Sequence, residues 1–203
     1  MIENKTVPVI SYNGGNYDLT FVLNAMAKRN LLPTGVISNG SSYKRIQMIQ
    51  RDEETDSFKR FNYHFIDLMN FAPAGCSLDR FCKMWGVSTS KGIFPYEWFD
   101  NISKMEEKVF PPYESFFSTL KNSNIPREDY DREKQMFDED VAENNFDFGD
   151  YMMYYCVKDV DIMIEAANNM REMFQEKEGI EALSLLTAPS IAYTALKVRK
   201  ETY

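Results

Sequence analysis

The chain has 203 residues, 44% hydrophobic and 27% charged, with 15 Phe, 12 Tyr, 12 Met, 9 Gly and 8 Pro. That composition excludes a disordered or low-complexity chain and is ample for a buried core. A net charge of −8 gives no general attraction to a polyanion, and no window approaches the roughly 18–20 apolar residues of a membrane span.

The start, Met1-Ile2-Glu3-Asn4-Lys5, runs straight into an apolar strand and carries no signal-peptide pattern. Cys76, Cys82 and Cys156 are odd in number and match no metal-ligand spacing. Free thiols in a reducing compartment are expected, inside the cell, nuclear or cytoplasmic and not secreted. A single histidine, His64, excludes a His-rich zinc site and argues against a His-activated nucleophile.

In chain order, Thr6 to Tyr12 reads as a short buried strand and Asn13-Gly14-Gly15 as a tight turn with glycine permitting positive φ. Tyr17, Phe21, Val22, Leu23, Ala25 and Met26 recur at helical spacing, closed by Lys28-Arg29-Asn30 at the negative helix end. Gly35 to Ser38 is a strand, Asn39-Gly40 a hairpin signal, Arg45 to Ile49 alternates, and Phe61 to Leu68 is a further strand after a polar loop. The remainder is helical. Ser77 caps a helix over Leu78 to Gly86, and short helices are expected over Tyr96 to Lys108 and Tyr113 to Leu120. Pro126 opens an acidic helix to about Glu143. A long helix follows from about Phe148 to Glu178, with Tyr151, Tyr155, Val160, Met163, Ala166 and Met170 inward. A last helix follows Pro189. The chain is expected to be a single α/β domain, 1–203, with its sheet in about 1–75 and a mainly helical portion in about 76–203.

Charge is uneven. From Arg127 to Asp150 ten acids face three bases, which reads as a solvated helix face. The methionines of the long helix, Met152, Met153, Met163, Met170 and Met173, suit adaptable core or a protein-binding surface. Trp85 and Trp98 read as core anchors, and His64 as a strand residue on the opposite face from Phe65.

One constellation has chemical content. Asp18 follows a strand and a glycine turn, so its carboxylate lies at the carboxyl end of that strand, where open α/β sheets place their sites. Asp159 follows Tyr155 by four residues, so the phenol and the carboxylate share a helix face. Converging carboxylates without histidine hold Mg²⁺ or Mn²⁺ for phosphodiester cleavage, with the Tyr orienting or deprotonating a water. A helix-dipole partner and a helix-surface acid are the plainer accounts of the same two residues.

Asn13-Gly14-Gly15-Asn16-Tyr17-Asp18 resembles the second exonuclease motif of protein-primed family B DNA polymerases, and Tyr155-Cys156-Val157-Lys158-Asp159 their third, Tyr-x3-Asp. Ser77-Leu78-Asp79-Arg80-Phe81 resembles the Ser/Thr-Leu-x2-hydrophobic motif that touches single-stranded DNA, and Lys91-Gly92-Ile93-Phe94 the Lys-x2-hydrophobic motif. The run from Lys91 to Asp100 is similar to polymerases of self-synthesising (Polinton or Maverick type) transposons and related viruses, as are Pro111-Pro112, Leu120 to Ser123, Asp129-Tyr130 and Leu186 to Ser190. The resemblance implies an RNase H-like, DEDD-type 3′→5′ exonuclease sheet flanked by helices. It implies catalytic roles for Asp18, Lys91, Tyr155 and Asp159, nucleic-acid contacts at Asn13, Ser77 and Leu78, and metal ligation by Asp18 and Asp159.

The family's first motif, Asp-x-Glu, has no counterpart in the twelve residues before Asn13, whose one acid is Glu3. The metal set is therefore expected to be incomplete and the sheet truncated at its N-terminal strands, leaving strand 6–12 with an open edge for a protein partner or self-association. The first expectation is a degenerate or domesticated, transposon-derived pseudoenzyme acting through protein contacts, with residual affinity for single-stranded DNA or RNA and none for membranes. The alternative is a fragment or split subunit of a DNA polymerase with metal-dependent (Mg²⁺ or Mn²⁺) 3′→5′ proofreading in replication.

Overall fold

The computed structural model describes residues 5–29, 31–51, 58–89 and 91–201. The chain divides into two compact units, residues 1–88 with 163–203 and residues 89–162.

The first unit contains a four-stranded sheet of β1 (Lys5–Ser11), β2 (Leu31–Asn39), β3 (Ser42–Arg51) and β4 (Phe58–Asp67), in the order β1-β4-β3-β2. β2, β3 and β4 form an antiparallel meander, turning from β2 to β3 at Gly40 with φ 60°. β1 pairs in parallel with β4, Val7 opposite Tyr63 and Ser11 opposite Asp67. Its outer edge meets no strand among the described residues.

Between β1 and β2 lies α1 (Asp18–Ala27), which packs Leu19, Leu23 and Met26 on Val9, Ile46, Met48 and Phe65 of one sheet face. Tyr17 and Phe21, read as members of its apolar stripe, are 63% and 79% exposed. Ten residues give fewer than three turns, so one narrow stripe reaches the sheet and the neighbouring aromatics face outward. Lys28 stands at the C-cap, outside the last turn, and Asn30 lies outside the described residues.

The turn before α1 differs from the expected glycine conformation. Asn13 adopts φ 63°, with its Oδ1 accepting from Asn16 Nδ2 at 2.5 Å. The glycines serve close approach instead. A Cβ at Gly14 would collide with the Ser11 side chain, and one at Gly15 with the Tyr43 carbonyl. Buried Asp67 holds this turn: its Oδ1 accepts from Asn13 N at 2.8 Å and Met69 N at 2.9 Å, and its Oδ2 from Gly15 N at 2.9 Å.

After β4, Ser77 Oγ caps α2 (Leu78–Met84) by accepting from Arg80 N at 3.2 Å, and Gly86 beyond it takes φ 76°. Phe81, fully buried, meets Tyr12 and Trp85 at ring-centroid distances of 5.4 and 6.3 Å.

The second unit holds α3 (Arg127–Asn144) and the start of α4 (Phe148–Glu178), which continues into the first unit before α5 (Ala188–Glu201). The helices expected over 96–108 and 113–120 are replaced by single 3₁₀ turns at Ile102–Glu106 and Tyr113–Phe116. The reason is tertiary. Phe94, Trp98, Phe99, Phe110 and Phe116 all pack into one aromatic core with Tyr130, Phe137, Phe148 and Tyr151, and no single helix stripe can direct residues so spaced to one side. Val160, read as inward on α4, is 46% exposed.

Asp67→Ala is expected to lower the unfolding free energy by about 3 kcal/mol or more, because three amides lose a charged acceptor. Asp67→Asn, which keeps one acceptor oxygen, should cost less. Urea unfolding of the three proteins checks the order.

Candidate functional site

The first unit contains Asn13, Asp18, Ser77 and Leu78. Asp18 lies exposed in the first turn of α1, beyond the carboxyl end of β1, as its position after the glycine turn implies. Asn13, Ser77 and Leu78 have structural duties: a left-handed turn residue tied to Asp67, the cap of α2, and that helix's half-buried first residue.

The second unit brings together Lys91, Tyr155 and Asp159. On α4, Tyr155 and Asp159 stand one turn apart on a common face. Lys91 Nζ lies 3.4 Å from Asp159 Oδ2 and 5.8 Å from the centre of the Tyr155 ring. The segment bearing Lys91 is held against the helix by its own sequence. Buried Ile93 offers its carbonyl to the Tyr151 hydroxyl at 2.8 Å, and the Phe94 ring lies 5.2 Å from that of Tyr155. Gly92 permits the approach, since a Cβ there would fall 2.7 Å from Tyr155 Cδ2. A larger residue would have to displace a ring already fixed by its neighbours.

Tyr155 is 7% exposed, and its hydroxyl pairs with that of Tyr96 at 2.6 Å. Burial first, then the Tyr96 hydrogen bond and the Asp159 charge, push its pKa far above the ordinary tyrosine range. A phenol held protonated in this way suits the orienting role better than proton abstraction.

Behind the site a buried ion pair steadies the helix. Glu133, 2% exposed, accepts from Lys158 Nζ at 2.8 Å, and Lys158 also donates to the Tyr154 hydroxyl at 3.1 Å. Burial works to lower the Lys158 pKa, but the hydrogen bonds with Glu133 and Tyr154 raise it overall. The reading of the 127–150 run as a solvated face therefore fails at Glu133, the one acid of that run that is buried.

Lys91, Tyr96 and Tyr155 also line a cleft of about 570 Å³ whose other walls include Phe116, Lys121 and Asn124. Glu97 Oε1 accepts from Thr119 N and Oγ1 at 2.6 and 2.9 Å, tying the 118–123 loop to the other wall. Tyr96 and Lys121 stood within motifs that the sequence singled out, but nothing local marked them as neighbours of Tyr155. Exposed Tyr96, with Lys91 and Lys121, gives the cleft the aromatic and cationic groups that hold single strands.

Beside Lys91 and Tyr155, one carboxylate oxygen is open to a divalent cation. Asp159 Oδ1 is buried without a hydrogen-bond partner, while Oδ2 takes Lys91. Among the described residues no three His, Cys, Asp or Glu side chains gather as a ligand group, so they do not by themselves make a metal centre.

Two outcomes test this geometry. Lys158→Met should destabilise by about 2–3 kcal/mol, since it leaves buried Glu133 with only the more exposed Arg132, whose Nη2 lies 3.5 Å away, and Lys158→Met/Glu133→Met should recover most of the loss, read by chemical denaturation. Because the folded protein holds Tyr155 neutral, its contribution to stability is complete below about pH 10 and lost as pH rises above it. Tyr155→Phe should flatten that alkaline decline in a series of melting temperatures.

A family model described as DNA polymerase type B, organellar and viral, matches residues 1–201. No curated protein and no solved structure matches the chain.

Proposed function

The chain belongs to the family of organellar and viral DNA polymerases of type B, and we propose that it is the exonuclease domain of such a polymerase, with an RNase H-like sheet. In this reading a single-stranded 3′ end is received at Lys91, Tyr155 and Asp159. The observation that carries it is the assembly of those three residues, Lys91 at 3.4 Å from Asp159 against the buried Tyr155, on one wall of a cleft with aromatic and cationic lining.

Each residue has a task that follows from its surroundings. Lys91 neutralises a terminal phosphate while still balancing Asp159. Tyr155, locked as the neutral phenol, donates a hydrogen bond to a phosphate oxygen or a water and holds it in line. Tyr96 fixes the phenol's direction through the 2.6 Å contact. Its exposed ring is a surface on which the last base stacks. Mg²⁺ or Mn²⁺ supplies Lewis-acid chemistry for phosphodiester cleavage when bound. Asp159, whose Oδ1 has no hydrogen-bond partner, would offer it a carboxylate oxygen.

The degenerate reading has its own support. Asp159 is already charge-compensated by Lys91, and β1 stands at an edge of the sheet. Such a protein would bind a strand without degrading it and add a partner's strand, or that of a second copy, beside β1. Pro8 weighs against the pairing, since it removes one backbone donor from that strand. Among the described residues no helix is long and apolar enough to cross a membrane.

A 5′-labelled single strand, incubated with Mn²⁺ or Mg²⁺, separates the two. Stepwise shortening from the 3′ end that is abolished in Asp159→Ala, and lowered about 100-fold or more in Lys91→Ala, is the expected outcome. Binding without shortening at high protein concentration sinks the exonuclease reading and leaves the degenerate one.

A further inference from the structure

The sheet of the first unit has a second face, opposite the one covered by α1. Thr6, Pro8 and Ile10 of β1 alternate with the residues that meet α1, as do His64 and Ile66 of β4. Over that face the 181–184 segment and part of α4 border an open-mouthed chamber of about 670 Å³.

One of its walls is Arg45. Its Nη1 donates to the Ser184 carbonyl at 3.1 Å, and its Nη2 to those of Leu183 and Leu185 at 2.9 and 2.6 Å. These acceptors satisfy donors but carry no net charge. The Nε–H is buried with no acceptor, and among the described residues no carboxylate pairs with this guanidinium. The acid that also lines the chamber, Glu181, is bound on both oxygens by Arg171 at 2.9 and 2.7 Å. Among the described residues that line the chamber, two guanidinium groups stand against one carboxylate, in a chain whose net charge is −8.

His64 senses that excess. Its ring Nε2 lies 3.3 Å from Gln47 Nε2, and burial, followed by the charge of Arg45, holds it below the ordinary histidine range. A guanidinium half out of water with only carbonyls around it gains most from a charged acceptor. The chamber is far larger than a tetrahedral ion, and Pro8, Ile10 and Ile66 give it an apolar floor suited to a planar or apolar body.

We propose that this chamber is a binding site for a phosphate group, carried by a small molecule whose body rests on Pro8, Ile10 and Ile66, with Arg45 as its anchor. The site stands on residues other than Lys91, Tyr155 and Asp159, so it survives or falls independently of the exonuclease reading.

His64 is the only histidine in the chain, so its Hε1 proton gives a single resonance to follow in the 203-residue chain. At constant ionic strength, adenosine 5′-monophosphate should shift that resonance saturably, and adenosine at the same concentrations should leave it in place. Arg45→Gln should weaken the effect about tenfold or more. If that variant does not fold, Gln47→Leu, which takes away a polar neighbour of the ring while leaving the carbonyl clamp, should reduce the shift. Inorganic phosphate acting as well as the monoester would identify the bare oxyanion as the ligand. A weaker response to phosphate would assign the difference to the apolar floor. The proposal is overturned if neither anion shifts His64 saturably, or if adenosine shifts it as far as its monophosphate does.

Discussion

Three backbone amides, those of Asn13, Gly15 and Met69, converge on the buried carboxylate of Asp67, and much of the first unit depends on that convergence. Asp67 ends β4 directly opposite Ser11, the last residue of β1. The chain leaving β1 is thus pulled back onto the end of its parallel neighbour and then released into α1. The Gly15 carbonyl accepts from Tyr43 N at 3.0 Å, which ties the start of β3 to the same point. Three strands and one helix start are fixed around one charge. A charged acceptor in low dielectric makes stronger hydrogen bonds than a neutral one, and leaving such amides unpaired is costly.

That constraint accounts for the glycines and for the place of Asp18. With the turn drawn down on Asp67, there is no room for a Cβ at Gly14 or Gly15. The left-handed residue falls instead on Asn13, whose short side chain hydrogen-bonds locally and tolerates that conformation. Asp67 is therefore an organiser of the motif that ends in Asp18, its oxygens already occupied by amides.

In the second unit the equivalent role falls to close packing. Phe94 meets Tyr96, Phe99, Phe148 and Tyr155 at centroid separations between 5.1 and 5.7 Å. Aromatic rings in such arrangements have few alternative positions. Tyr155 is directed by this cluster, by Gly92 beside it and by the Tyr96 hydroxyl, and the helix under it is braced by the Glu133–Lys158 pair. The polar groups of the site thus rest on an apolar lattice.

Much of this was legible in the residues themselves. Alternation in Arg45 to Ile49, the Asn39-Gly40 turn, Ser77 ahead of Leu78 and the long apolar period from Phe148 follow from local geometry, and each element formed where its pattern lies. Tyr155 and Asp159 share a face because four residues make about one helical turn. The amino-acid sequence by itself therefore determined the strands of the meander, α2, α4 with its motif, and the Lys91 segment as a candidate partner. The tertiary structure alone decided that Lys91 reaches Asp159, that Tyr96 joins Tyr155, that Glu133 leaves the solvated face and that the 96–120 stretch coils around aromatic rings. These depend on contacts between residues distant along the chain, and periodicity reports only what neighbours within a few residues share.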